Sequence, residues 1–159
     1  MDLSSVKRAE ENFGNTINAL EEVKEVNKLI LSILTDPTAY SEDRYVELME
    51  EKTKLIDRIE ALNSESADIY TELSNEMKSG KVISDDLRNG VLKKIDSLNL
   101  ISADTEKDEK TIRSLMEKMF SKERESIKAA HKNSGAAINY YQTMSESKNV
   151  QSMFYDSKN

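Results

Sequence analysis

The residues that most often carry chemistry are scarce in this chain. His131 is the only histidine and cysteine is absent, so neither a histidine-pair metal site, a duplicated Glu-x-x-His di-iron site nor a thiolate site can be assembled. Acidic neighbours such as Glu50 and Glu51 are numerous, but in a chain that is 33% charged they are expected on solvated faces. The sequence predicts a protein that is not an enzyme and holds no metal or other cofactor. For His131 it favours a polar residue near a helix C-terminus.

Nucleotides, nucleic acids and membranes are not predicted as partners either. The four glycines match neither GxxxxGK[ST] nor GxGxxG, so no phosphate-binding loop is expected. A net charge of −7 without a concentrated basic stripe disfavours nucleic acid. The nearest approach to a membrane span is the short LILSIL at 29–34. The N-terminal stretch lacks the pattern of a secretory signal, and the absence of cysteine fits a reducing compartment, so we expect a cytoplasmic protein.

The remaining chemistry is recognition by aromatic and methionine side chains. Four of the nine aromatic residues lie in residues 139–159, among polar residues that cannot bury them without another surface. Aromatic side chains concentrate binding energy at interfaces, and methionine adapts to irregular partners. Core packing is the alternative for the methionines, and a final turn of helix is the alternative for the tail. The predicted partner-binding residues are Met116, Met119, Phe120, Ile127, Tyr140, Tyr141, Met144, Met153, Phe154, Tyr155 and Asp156.

Three long amphipathic helices are predicted to position these residues. Apolar residues recur at steps of three and four over about 5–34, 42–77 and 84–132. Ser41 and Ser84 are placed to cap the second and third helices, and Ser79 with Gly80 indicates the turn between them. Because the loops are short, neighbouring helices are expected to be antiparallel. The prediction is an all-α fold: an elongated antiparallel bundle over residues 1–138, followed by a partly ordered C-terminal tail over 139–159.

Two places interrupt the apolar pattern. In helix two, Lys52 and Ser66 break a heptad whose predicted buried residues are Leu55, Ile59, Leu62 and Ile69. In helix three, Thr105 and Asp108 stand where the stripe should be apolar. Two i,i+4 pairs, Glu106 with Lys110 and Glu109 with Arg113, can keep this part of helix three helical. The sequence leaves open whether the helix is exposed, kinked or paired to polar groups there.

The C-terminal segment carries a more specific pattern. KAAHKNSGAAINYY at 128–141 precedes a polar tail that closes on SMFYDSKN at 152–159. This order resembles the FlgN-type flagellar export chaperones of Gram-positive bacteria, in which the third helix runs into a Gly/Lys/Ala stretch and a Tyr, and the tail closes with Ser, Phe, a hydrophobic residue, Asp and Lys. Asn133 and Ser134 depart from the basic residues common there, and Ser157 separates Asp156 from Lys158. The matching residues are Ala136, Ala137, Ile138, Tyr140 or Tyr141, Ser152, Phe154, Tyr155, Asp156 and Lys158.

The resemblance implies a chaperone that works without catalysis. Members of the family bind hook-filament junction proteins, and a sister family binds the filament cap protein. They cover the aggregation-prone terminal helices of these clients, which prevents premature assembly, and they deliver the clients to the type III export apparatus. Components of that apparatus are further possible partners. In physical terms, the client supplies an amphipathic helix that completes an apolar groove. Two alternatives stay open: a coiled-coil structural homodimer without a heterologous client, and a small-molecule-sensing bundle, for which no pocket is defined.

Overall fold

The protein forms three long helices and, within the described residues, no strand. The computed structural model describes residues 4–80 and 82–119, with α1 at Ser4–Thr35, α2 at Glu42–Lys78 and α3 at Asp85–Met119. At 1.5 Å per residue each helix is roughly 50 Å long. The predicted all-α fold and the starts of all three helices are confirmed. The predicted continuation of helix three to residue 132 and the tail at 139–159 lie outside the described residues.

Capping residues set the starts of α2 and α3 as the sequence predicts. The backbone N–H of Arg44 donates to the Ser41 hydroxyl over 3.4 Å, and the N–H of Leu87 donates to the Ser84 hydroxyl over 3.3 Å. These contacts satisfy amides that have no partner within the helix. Gly80 follows α2 with a φ of +83°, a conformation that costs a side-chain-bearing residue roughly 1–2 kcal/mol. The predicted turn at Ser79 and Gly80 is therefore built on glycine.

The helices run up, down and up, and α1 packs against both of the others. Antiparallel α1 and α2 bring the Ser5 hydroxyl to the carboxylate of Glu76 at one end. Parallel α1 and α3 bring Lys24 within 3.2 Å of Asp104. The Ser5 contact joins opposite ends of α1 and α2, and the Lys24 contact joins corresponding positions of α1 and α3, so the predicted arrangement is confirmed.

The buried apolar side chains form two clusters along the bundle axis. The first core cluster is centred on Phe13, Ile59 and Ile95, and the second on Ile30, Leu48 and Ile112. Both clusters contain residues of all three helices, which is how this slender bundle closes a core. The half-buried Leu55 packs against both clusters, so it lies near their boundary.

The heptad of α2 predicts its buried residues only in part. Ile59 and Ile69 are fully buried, as expected. Leu55 and Leu62 are half-buried instead. Leu55 and Leu62 are more exposed than predicted because α2 packs chiefly on α1. Residues at the edge of the apolar seam of α2 therefore keep one side open to solvent.

Candidate functional site

A buried polar cluster lies among the packed apolar side chains, and each helix contributes one member. The Lys52 ammonium of α2 contacts the Glu109 carboxylate of α3, and the Asn27 amide of α1 donates to the same carboxylate over 3.2 Å. Lys52 is 1% exposed, while Asn27 and Glu109 are fully buried. We call Asn27, Lys52 and Glu109 the polar layer. Lys52, which interrupts the apolar seam of α2, and Glu109, in the polar segment of α3, are thus the two sides of one contact.

The surroundings of the polar layer shift several pKa values. Burial lowers the pKa of Lys52, and the neighbouring Glu109 carboxylate opposes this shift without cancelling it. Burial raises the pKa of Tyr45 to about 12, and repulsion by Tyr40 when that phenol is ionised and by the Glu109 carboxylate acts in the same direction. Burial also raises the pKa of Asp108, one residue before Glu109 in α3. In each case the first cause is desolvation, which disfavours the charged form.

The polar layer is suited to specifying the bundle rather than to catalysis. Perturbed pKa values often mark active sites, but a substrate cannot reach side chains that are at most 1% exposed. The Lys52 ammonium and the Asn27 amide nitrogen both contact the Glu109 carboxylate, while the Asn27 side-chain oxygen is buried without a hydrogen-bond partner. A register in which the Lys52 or Glu109 charge faced an apolar partner would be penalised strongly. The continuous helix through Thr105 and Asp108 agrees with this role: of the three alternatives left open by the sequence, pairing to polar groups is the one observed.

The i,i+4 spacing of the sequence predicts the wrong partner for Glu109. The i,i+4 pair of Glu106 with Lys110 is present, at 3.3 Å. Glu109 pairs with Lys52 rather than with Arg113, and Arg113 contacts Glu117 at 3.4 Å instead. The reason is orientation, because Glu109 lies on the face of α3 that packs into the bundle.

Only two of the predicted partner-binding residues lie in the described part of the chain. Met116 is 1% exposed and packs in the second core cluster, the alternative that the sequence left open for it. Met119 is 38% exposed at the described end of α3. The structure therefore does not bring these two side chains onto one accessible patch. The other candidates are outside the described residues: Phe120, Ile127, Tyr140, Tyr141, Met144, Met153, Phe154, Tyr155 and Asp156.

An open groove lies between α1 and α2, and the sequence did not predict it. It has a volume of about 410 Å³, and its apolar lining is Val26 and Leu29 from α1 with Leu55 from α2. Leu29 is 46% exposed, whereas Val26 is 5% exposed. The α1/α2 groove, defined by these three residues, could have been suspected from Leu29, because LILSIL places an apolar residue beside the buried stripe of α1.

Glu22, Glu25, Glu51 and Lys54 complete the lining of the α1/α2 groove. Carboxylates thus outnumber cations around its apolar residues. Among the residues that the structure describes, no group of histidine, cysteine or acidic side chains is arranged to hold a metal ion. The groove therefore offers apolar contact and negative charge.

Comparisons with known proteins do not assign the chain to a family. Neither the models of known protein families nor curated protein sequences give a match. Over residues 4–80 and 82–119, none of the helices combines the length and apolar character that crossing a membrane requires.

Proposed function

We propose that the protein is a cytoplasmic flagellar export chaperone of the FlgN type. It binds hook-filament junction or cap proteins, prevents their premature assembly and delivers them to the export apparatus. The observation that carries the proposal is the pattern over residues 128–159, where a small and basic stretch leads to Tyr140 and Tyr141 and the tail closes on Phe154, Tyr155 and Asp156.

The architecture supports this proposal in two ways. A bundle of three helices, each of 32 to 37 described residues, is the fold that the resemblance implies. A chaperone for amphipathic helices also needs an apolar surface that stays accessible when its own core is closed. The α1/α2 groove, with Leu29 46% exposed, offers such a surface.

The alternative of a coiled-coil homodimer has less support. Its main support is the heptad of α2. If no residues of the same chain covered this apolar seam, a second copy of the chain would be needed to bury it. In the described bundle, Leu48, Ile59 and Leu73 of this heptad are buried in the two core clusters. The heptad is thus used within one chain, and the function with a heterologous client is favoured.

Affinity capture with the tagged full-length protein tests the proposal. The lysate comes from the same organism, grown while flagella are assembled, and bound proteins are identified by mass spectrometry. We expect hook-filament junction or cap proteins to be enriched over a lysate in which their genes are deleted. Recovery of the tagged chain with only its own untagged copies would instead favour the structural homodimer.

A further inference from the structure

The α1/α2 groove combines a small apolar floor with a predominantly acidic rim. Its volume of about 410 Å³ lies at the lower end of the range for ligand sites, which is about 300–1,000 Å³. The floor consists of aliphatic side chains, with Leu29 and Leu55 on facing helices. A site of this size and lining accommodates a few apolar side chains that are presented from one face of a helix.

The rim defines the charge of the occupant. Glu22, Glu25 and Glu51 contribute three carboxylates to the groove, and Lys54 contributes one ammonium group. Complementary charges favour association and select against like-charged partners. An occupant with lysine or arginine beside its apolar residues therefore fits this rim better than an acidic one.

The rim carboxylates can exchange their present partners at little cost. Glu22 contacts Arg58 at 3.4 Å, and Glu25 contacts Lys28 at 3.0 Å. All four of these side chains are more than half exposed, and ion pairs of such exposed groups contribute roughly 0–1 kcal/mol. A cation on an incoming helix can therefore replace either partner.

We propose that the α1/α2 groove binds one basic amphipathic helix of the client. Apolar residues of that helix enter between Leu29 and Leu55, and its lysine and arginine side chains pair with Glu22, Glu25 and Glu51. The inference rests on the proposed function for the identity of the partner as a client. The main recognition surface for the client is then the groove between α1 and α2 rather than the C-terminal part of the chain.

Matched variants of the full-length protein test the groove. Leu29→Gln removes its exposed apolar anchor, and Leu100→Gln is the control because Leu100 is 71% exposed on α3. Glu51→Lys reverses a rim charge, and Glu60→Lys reverses an exposed charge on the same helix outside the groove. The two members of each pair change composition and net charge equally. Any difference between them is therefore a property of the groove.

The first probe is a synthetic helical peptide of leucine and lysine, with leucine at i, i+3, i+4 and i+7, measured by fluorescence anisotropy. We expect Leu29→Gln to weaken its binding by about tenfold, the loss of roughly one buried apolar contact, and Glu51→Lys to weaken it several-fold. Both controls should bind like the wild type, and a peptide with glutamate in place of lysine should not bind. Equal affinities of the groove variants and their controls would overturn the proposal.

The second probe is the purified hook-filament junction or cap protein of the same organism. Binding of this client that is weakened by Leu29→Gln, but not by Leu100→Gln, supports both proposals. Binding that is indifferent to Leu29→Gln overturns the groove and leaves the proposed function intact. A client that does not bind, together with a peptide that binds the groove, overturns the proposed function while the groove remains a site for basic helices.

A photo-crosslinking residue at position 54 of the full-length protein, which lines the α1/α2 groove and leaves Leu29 in place, identifies competing occupants. Crosslinks to the client at its amphipathic helix support the proposal. Other crosslinks would join the groove to residues 120–159 of the same chain or to a second copy of the chain. If such crosslinks persist when client is in excess, those segments occupy the groove and the proposal is overturned.

Discussion

Removing the carboxylate of Glu109 should destabilise the bundle strongly. The substitution Glu109→Leu leaves the Lys52 ammonium, which is 1% exposed, without its charged partner. It also removes the acceptor of the Asn27 amide. Breaking a buried ion pair in this way typically costs about 3–5 kcal/mol. That loss is a large part of the roughly 5–15 kcal/mol that stabilises an ordinary domain.

Replacing both charged residues should restore most of that stability. In the double variant Lys52→Met/Glu109→Leu no charge of the polar layer stays buried, although the Asn27 amide still lacks its acceptor, and replacement of a buried pair by apolar residues is often neutral or stabilising by about 1–4 kcal/mol. The control is Glu106→Leu, one turn earlier in α3, because Glu106 is half-buried rather than fully buried and its partner Lys110 is 64% exposed, and ion pairs open to solvent contribute about 0–1 kcal/mol. The free energies of unfolding of the wild type, the single variants Lys52→Met and Glu109→Leu, the double variant and the control are measured by urea denaturation followed by far-UV circular dichroism.

The double-mutant cycle decides whether the polar layer acts as one unit. We expect Glu109→Leu to cost several times more than Glu106→Leu, and the double variant to be more stable than Glu109→Leu alone. If Glu109→Leu costs no more than the control, the carboxylate is not buried against Lys52. If the losses of the two single variants simply add, the residues do not interact.

Three further predictions concern the core, one carboxyl group and the tail. Ile59→Ala should lower the free energy of unfolding by roughly 2–4 kcal/mol, because Ile59 is 1% exposed; an unchanged melting temperature would contradict its burial. Asp108→Asn should raise the melting temperature at pH 7, and the gain should shrink toward pH 4: burial raises the pKa of Asp108 in the folded state, so the loss of stability is complete above that pKa and disappears below the pKa of the unfolded carboxyl group. A gain independent of pH would exclude this cause. Deletion of residues 142–159 should change the melting temperature little but client affinity several-fold, upward if the tail covers the binding surface and downward if it contacts the client; unfolding with unchanged affinity per folded molecule would show that the tail belongs to the core.

The helices and their order follow from local features of the sequence. Ser41, Ser84 and Gly80 fix helix ends through contacts within a few residues, so reading the chain locally is enough to place them. The buried face of α1 can be predicted in the same way, because Phe13 and Ile30 belong to its apolar pattern at helical spacing and both are buried. Short connections then favour antiparallel neighbours, which yields the observed arrangement.

The polar layer could not be predicted because its contacts join distant parts of the chain. Lys52 and Glu109 are 57 residues apart, and Asn27 is 82 residues from Glu109. Periodicity indicated that Lys52 interrupts an apolar seam, but it cannot say which residue on another helix compensates the charge. The same limit applies to the α1/α2 groove, whose Leu29 and Leu55 meet only when two helices pack.

The proposed function requires that this protein binds a flagellar client through the amphipathic terminal helices of that client. Isothermal titration calorimetry with purified components tests it most directly. The full-length protein is titrated with the hook-filament junction protein of the same organism, and separately with that client lacking its terminal helices. We expect a saturable complex with the intact client and no heat of binding with the shortened one. Absence of binding to intact junction and cap proteins, or equal affinity for intact and shortened clients, would contradict it.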